Sequence, residues 1–194
     1  MSGNANNIVQ GPAYFYIAPF GSAEPADSAA TVVGGPPGGV WVDAGFTETA
    51  VAIEEDQTWT DLKVQQVPMA VGARLTDYIV TVKTQMSEIS VNNLTTVLNG
   101  LTTVTVSSSY TTIDRIQTNS ATQPAYAAVI VDGWGPTLAS GQAARWRHTI
   151  RKVISKPKIM RNYELTKKVV YDVTLQGYWV SPSISPVHEI LQTA

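Results

Sequence analysis

Few side chains in this sequence have the type and spacing that enzymatic or metal chemistry requires. The two histidines, His148 and His188, form neither a His-x-His nor a His-Glu-x-x-His pattern. A Gly-x-Ser-x-Gly nucleophile elbow is absent from the sequence. The Gly-rich run at 34–39, GGPPGG, lacks the Lys-Ser/Thr pair that completes a phosphate-binding loop. The sequence therefore predicts no catalytic residue, no metal ligand and no cofactor-binding residue, and we expect no cofactor.

Carboxylates are concentrated in one short segment. Glu54, Glu55 and Asp56 are consecutive, and Asp61 follows them. Carboxylate oxygens suit a hard cation, but this spacing does not match that of a calcium-binding loop. A solvated acidic segment is therefore the favoured interpretation.

Charge is divided along the chain, although the formal net charge is only -2. Residues 1–88 hold ten acidic and three basic side chains, whereas residues 145–168 hold nine basic side chains and one acidic. If the two segments lie on different surfaces, the charges favour head-to-tail contacts between copies. The alternative, that they neutralise each other within one sheet, stays open here. The candidate contact residues are Glu54, Glu55, Asp56, Arg145, Arg147 and Arg151.

The basic segment AARWRHTIRKVI has the alternation of an amphipathic strand. Arg145, Arg147 and Arg151 fall on one side, which predicts a cationic, solvated face, and Trp146 and His148 fall on the other. We interpret His148 as a packed strand residue. A cationic face could follow phosphates, but no nucleic-acid-reading motif is present and the chain is slightly acidic, so sequence-specific nucleic-acid binding is disfavoured.

Composition predicts one domain over residues 1–194. The chain is 44% hydrophobic and can bury one sizeable core, whereas charged residues make up only 14%. So low a charge favours a surface covered by copies of the same protein. The absence of cysteine excludes disulfides and thiolate metal sites. The sequence contains neither a signal peptide nor a membrane-spanning run, so we expect assembly in the cytoplasm.

Apolar and polar residues alternate in a pattern that predicts a mainly β chain with one helix. Ser90 precedes Val91, Leu94, Leu98 and Leu101 at helical spacing, so a short helix is predicted there. A hairpin with one core face and one solvated face is predicted from 62–69 and 75–86. The other predicted strands cover 13–19, 40–43, 46–54, 102–116, 126–131 (closed by a turn at 132–136), 143–154 and 168–180.

Two segments are predicted to lie outside the packed domain. Residues 21–39 are rich in Gly, Pro, Ala and Ser, which is typical of an exposed loop or arm. Residues 181–194 contain two prolines and are interpreted as a C-terminal docking tail.

An ordered series of features runs from Gly39 to Leu101. It comprises a Gly-rich start at Gly38 and Gly39, the acidic run at 54–56, a Val-Gln-Gln segment, a second long strand, and Glu88 before the helix. In this order the features resemble the core of a phage tail tube protein, over about a third of the chain.

The resemblance implies a structural virion protein of a long-tailed, siphovirus-type phage. Its expected fold is mainly β, a β-sandwich or partial barrel with one flanking α-helix, whose inner strands join a multi-subunit β-barrel. Six copies are expected to form a ring, and rings to stack into the tail tube that conducts DNA without binding it sequence-specifically. Expected partners are further copies and the tail terminator, tape measure and baseplate proteins, with no membrane.

Carried onto this chain, the resemblance suggests that the hairpin at 62–86 lines the channel. Its lumen candidates are Gln65, Asp77 and Thr81. Lys63 and Lys83 must then be neutralised by carboxylates such as Asp61 or point elsewhere, because a DNA conduit should not bind phosphate. The arm at 21–39, the tail at 181–194 and the charged contact candidates listed above are then expected to form contacts between rings.

Three alternatives belong to other classes. A tube protein of a contractile system, such as a myovirus tail or type VI secretion, would share the fold and the ring. A capsid decoration or adhesion protein would also be strand-rich and free of cysteine. An enzyme is disfavoured because the sequence lacks a recognisable catalytic pair.

Overall fold

The computed structural model describes residues 7–27, 37–88, 90–100, 102–115, 123–156, 163 and 168–192. Within these ranges the chain is mainly β, as predicted, with a single short helix. The elements are β1 (Ala13–Pro19), β2 (Val42–Asp43), β3 (Ala52–Leu62), β4 (Gly72–Met86), α1 (Val91–Val97), β5 (Thr102–Val106), β6 (Thr111–Arg115), β7 (Ala127–Thr137), β8 (Ala143–Ser155), β9 (Tyr171–Gly177) and β10 (Val187–Leu191).

Eight strands form one antiparallel sheet in the order β2-β1-β7-β8-β9-β4-β3, with β10 joined to β8. The sheet divides at β8, because residues 146–150 of this strand pair with β10 whereas residues 153–155 pair with β9. The terminal strands β2 and β3 do not pair with each other, so the sheet is not a closed barrel. β5 and β6 form a separate two-stranded sheet.

The main core lies on one face of β1, β4, β7, β8 and β9. The strands contribute alternate side chains to it, as the period of two in a β-strand requires, except in β8, where Ile150 and Val153 flank a register shift. The largest fully buried members of this core are Phe15, Met86, Ile150, Tyr171 and Leu175.

The predicted helix after Ser90 is confirmed, but it buries a different face. Ser90 Oγ accepts a hydrogen bond from the Asn93 amide at 3.1 Å, which caps the helix. The Asn93 side chain is buried and donates to the carbonyl of Ala44 at 2.8 Å, so α1 turns Asn93 and Val97 toward the sheet. The predicted stripe is only half-buried; its described members are Val91, Leu94 and Leu98, and Leu101 lies outside the described residues.

The long hairpin has different bounds from those predicted. Its turn is formed by residues 63–71, so the predicted strand at 62–69 is wrong. Pro68 cannot donate to a β-ladder, and the Val67 amide donates to the Val64 carbonyl at 3.4 Å within the turn. β3 contains the acidic run instead, and the β3–β4 register shifts between Thr58 and Trp59.

β7 continues through the turn that was predicted at 132–136. Asp132, Gly133 and Trp134 all pair with residues of β8, and Gly135 and Pro136 lie at a register shift, after which Thr137 pairs with Ala143. Pairing with β8 therefore overrides the local turn signal.

The predicted arm and tail both contain residues that pack on the sheet. The Trp41 indole is buried on the second face of the sheet, where it donates to the Ala23 carbonyl at 2.9 Å. Residues 21–27 are therefore held against the sheet, whereas 28–36 lie outside the described residues. In the predicted tail, residues 187–191 are strand β10. Contacts of either segment with other copies stay a prediction.

Candidate lumen and subunit-contact surfaces

The outer face of β9, β4 and β3 is polar and acidic. Cross-strand register places Glu54, Thr81 and Gln176 side by side, and Lys83 beside Thr174. The opposite face of the same strands carries core residues such as Val80 and Val82. Up to the register shift at Thr58, the polar face comprises Ala52, Glu54, Asp56, Thr58, Asp77, Ile79, Thr81, Lys83, Gln85, Asp172, Thr174 and Gln176. It carries four carboxylates and one ammonium, and we call it the polar face below.

The predicted neutralisation of Lys83 is confirmed, with a different partner. Lys83 Nζ lies 2.6 Å from the Glu54 carboxylate, whereas Asp61 lies further along β3. Both side chains of this pair are about half exposed, so the pair compensates charge without adding much stability. Lys63 lies in the hairpin turn and forms no ion pair with a described residue.

The structure brings two of the three lumen candidates together. Asp77 and Thr81 both lie on β4 and project to the polar face. Gln65 lies in the turn at 63–71, so its expected place on the strand lining is wrong. Their role in a lumen stays a prediction.

The outer part of the hairpin has both faces exposed to solvent. From Glu54 to Tyr78 every residue is exposed, including Trp59 at 56% and Met69 at 76%. Large apolar side chains rarely remain so exposed on both sides of a hairpin in a finished surface. The exposed apolar residues of this region are Trp59, Leu62, Val64, Val67, Met69, Val71, Leu75 and Tyr78.

The predicted solvated face of β8 is wrong at Arg145 and Arg147. Both side chains are buried, and both face Asp132 on β7, with Nη2 to Oδ2 distances of 2.9 Å for Arg145 and 3.8 Å for Arg147. Burial raises the pKa of Asp132, although the two guanidinium groups act to lower it. Burial also lowers the pKa of Arg147. Arg145 and Arg147 therefore lie inside the chain beside Asp132 and do not form a solvated cationic face.

Arg151 is engaged within the chain as well. Its guanidinium makes a two-pronged contact with the Glu24 carboxylate, and Nη2 donates to Oε2 at 3.0 Å. His188 Nδ1 lies 2.9 Å from the same Oε2. Burial acts to raise the pKa of Glu24, but the hydrogen bonds with Arg151 and His188 hold that pKa below its ordinary value. This cluster fastens the segment around Glu24 to β8 and β10.

Further along the basic segment, Lys152 is half-buried and Lys156 is exposed. Lys152 Nζ lies 4.4 Å from the ring centroid of Tyr126, and Lys156 Nζ lies 5.2 Å from that of Tyr178. Lys158, Arg161 and Lys167 lie outside the described residues.

A cleft of about 490 Å³ opens between β3 and the strands β7, β8 and β10. Ile53 and Glu55 form its β3 side, and Trp134, His148 and Glu189 belong to the opposite side, together with Trp146. Of the acidic run, Glu54 and Asp56 thus project to the polar face while Glu55 points into this cleft. Sequence reasoning missed the cleft because its residues come from five strands that are distant in the chain, β1, β3, β7, β8 and β10, together with Val51 just before β3.

The structure gives no positive indication of chemistry at these surfaces. Among the described residues, no three His, Asp or Glu side chains are grouped so that they could hold a metal ion. No helix in the described part of the chain has the length and apolar character needed to cross a bilayer.

An open antiparallel sheet with a long unpaired edge strand and an apolar hairpin exposed on both faces is typical of a self-assembling structural subunit. Comparison with protein families identifies the assembly: the model described as "Phage tail tube protein" matches residues 1–166. The chain therefore belongs to the phage tail tube protein family, as the series from Gly39 to Leu101 predicted. It is a structural component of the virion tail and self-assembles into the tail tube. The family is a class of structural proteins, not a class of enzymes. No curated protein matches the sequence.

Proposed function

We propose that six copies of this protein form a ring, that rings stack head to tail into a hollow tube, and that genomic DNA passes along the polar face. Family membership supports the tail tube itself, and the proposal adds the arrangement of the copies and the surface that lines the channel. The long non-contractile tail and the terminator, tape measure and baseplate partners stay predictions.

The observation that carries the proposal is the charge of the polar face. Its four carboxylates outnumber the single ammonium of Lys83, which is itself paired with Glu54. Repetition of this face in every copy gives a confined channel a negative potential. DNA phosphates are then repelled from the wall and slide past it, whereas rings of Lys or Arg would release counterions and hold the DNA.

The free edge of β3 supports closure of a barrel from several copies. β3 has eleven residues and pairs on one side with β4, and no other described strand pairs with its second edge. Unpaired edges of this length are aggregation-prone unless another strand covers them. Edge pairing between neighbouring copies satisfies the backbone groups of this edge and continues the polar face around a ring.

Electron microscopy of the purified protein tests the tube directly, because hollow filaments or sixfold rings are expected. Cysteine labelling then tests the lining, since the parent chain has no cysteine. In assembled tubes, Thr81→Cys should react with a small maleimide and resist a bulky polymer-linked one. Thr111→Cys, at an exposed position on β6, is the matched control and should react with both. Equal reaction of Thr81→Cys with both reagents would place the polar face outside the channel.

A further inference from the structure

We infer that the hairpin tip, defined as residues 62–74, of one copy docks into the cleft beside Trp134 of a second copy. The inference rests on the proposed stacking of copies and names the surfaces that meet. It places Lys63 and Arg74 of the tip against Glu55 and Glu189 of the cleft.

The cleft is negatively charged, and its two carboxylates are held in place. Tyr78 donates its hydroxyl to Glu55 Oε2 at 2.7 Å, and the Trp146 indole donates to Glu189 Oε1. Burial lowers the pKa of His148, so its imidazole is uncharged at neutral pH. No lysine or arginine is found among the described residues that line the cleft.

The cleft also offers a fixed aromatic wall. The Trp134 side chain is 40% exposed, and Gly11 lies directly against its indole, where an added Cβ would come within 2.6 Å of the ring. Trp146 contacts the His148 ring, with centroids 5.1 Å apart. Aromatic faces beside carboxylates suit a cationic side chain with an aliphatic stem, and also suit neighbouring aliphatic groups.

The hairpin tip has the complementary character. Lys63 and Arg74 are exposed and form no ion pair with a described residue. Around them the tip exposes five large apolar side chains, Leu62, Val64, Val67, Met69 and Val71.

The pairing requires a second copy. Within one chain the tip is exposed along its whole length and the cleft remains open, so neither surface covers the other. A polymer of identical copies supplies both surfaces at every junction, and a head-to-tail contact of this kind propagates without closing.

Cross-linking between two single-cysteine variants tests the contact while all four charged residues are kept. Gln65→Cys marks the tip, and Val51→Cys marks the cleft wall. The two variants, carrying tags of different mass, are mixed as monomers, assembled and treated with a short bis-maleimide. A mixed cross-linked dimer is expected in tubes, at a yield several-fold above that of Gln65→Cys mixed with Asp114→Cys, a control at an exposed position on β6.

Neutralising the cleft tests the charge complementarity. The double substitution Glu55→Gln with Glu189→Gln should raise the concentration needed for tube assembly by about tenfold or more, as expected for lost charged contacts at an interface. Asp114→Asn removes an exposed carboxylate outside the cleft and should leave that concentration unchanged.

The outcomes separate this inference from the proposed function. Tubes that form without a mixed dimer above the control would overturn the docking and leave the tube intact. The docking would also be overturned if the cleft cysteine, in complete tails, cross-linked to a different tail protein. It would likewise be overturned if the double Gln substitution left tube assembly unchanged. Failure of the parent chain to form any tube would overturn the proposed function itself.

Discussion

Arg145 on β8 and Asp132 on β7 form a buried ion pair, with Nη2 2.9 Å from Oδ2 and both side chains almost inaccessible to solvent. Arg147 faces the same carboxylate, so Asp132 lies against two guanidinium groups. Removing one partner of a buried pair strongly destabilises the folded protein, because the other charge is left buried without compensation. Removing one partner of an exposed pair has a much smaller effect. The basic alternation along β8 thus places Arg145 and Arg147 inside the fold, and the residues that join one copy to the next stay a prediction.

We expect Asp132→Ala to lower the free energy of unfolding by about 3–5 kcal/mol, because it leaves two buried guanidinium groups without their carboxylate. Urea denaturation followed by tryptophan fluorescence measures the change. Asp114→Ala, which removes an exposed carboxylate on β6, should lie within about 0.5 kcal/mol of the parent chain. Similar stability of both variants would show that Asp132 does not hold the arginines.

Asn93→Ala should cost about 1–3 kcal/mol, since its buried amide satisfies the carbonyls of Ala44 and Glu88. The neighbouring Asn92→Ala is the matched control, because Asn92 is in the same helix and its side chain is exposed. Thermal or chemical denaturation of the two variants compares them directly. Equal costs would mean that helix propensity, not docking, sets the stability of α1.

Thr81→Lys is expected to leave the monomer folded and the tubes intact while slowing or stalling DNA delivery. Each copy then adds a positive charge to the polar face, which offsets the carboxylates and lets the wall bind phosphate. Infectivity and DNA release from complete particles are the measurements, and Thr111→Lys on β6 is the control. Unimpaired DNA release from particles that contain the variant would contradict the proposed lining.

The contact between Glu24 and Arg151 predicts an acid-dependent loss of stability. The pKa of Glu24 is lowered in the folded chain, so its contribution is present above its ordinary value of 4.5 and disappears as the pH falls through that value toward the folded pKa. Glu24→Gln should therefore destabilise the protein at neutral pH and converge with the parent chain in acid. Denaturant titrations from neutral to acidic pH measure the difference, and a gap that stays constant with pH would argue against an ionised Glu24.

Short-range features of the sequence determined the class of the fold and several of its elements. Alternation of apolar and polar residues predicted β8 and the second strand of the long hairpin, which ends at Met86, because a strand must separate its two faces. Ser90 marked the start of α1, because its hydroxyl can cap the helix locally. The ordered series from Gly39 to Leu101 identified the family that the comparison then confirmed.

Tertiary structure decided which face of each strand is covered. Alternation placed Arg145 and Arg147 on one side of β8, but Asp132 on a neighbouring strand made that side buried. Pairing with β4 carried β3 through the acidic run at 54–56, although those residues have low strand propensity. Burial and register depend on partners distant in the chain, so these sites formed only when the strands came together.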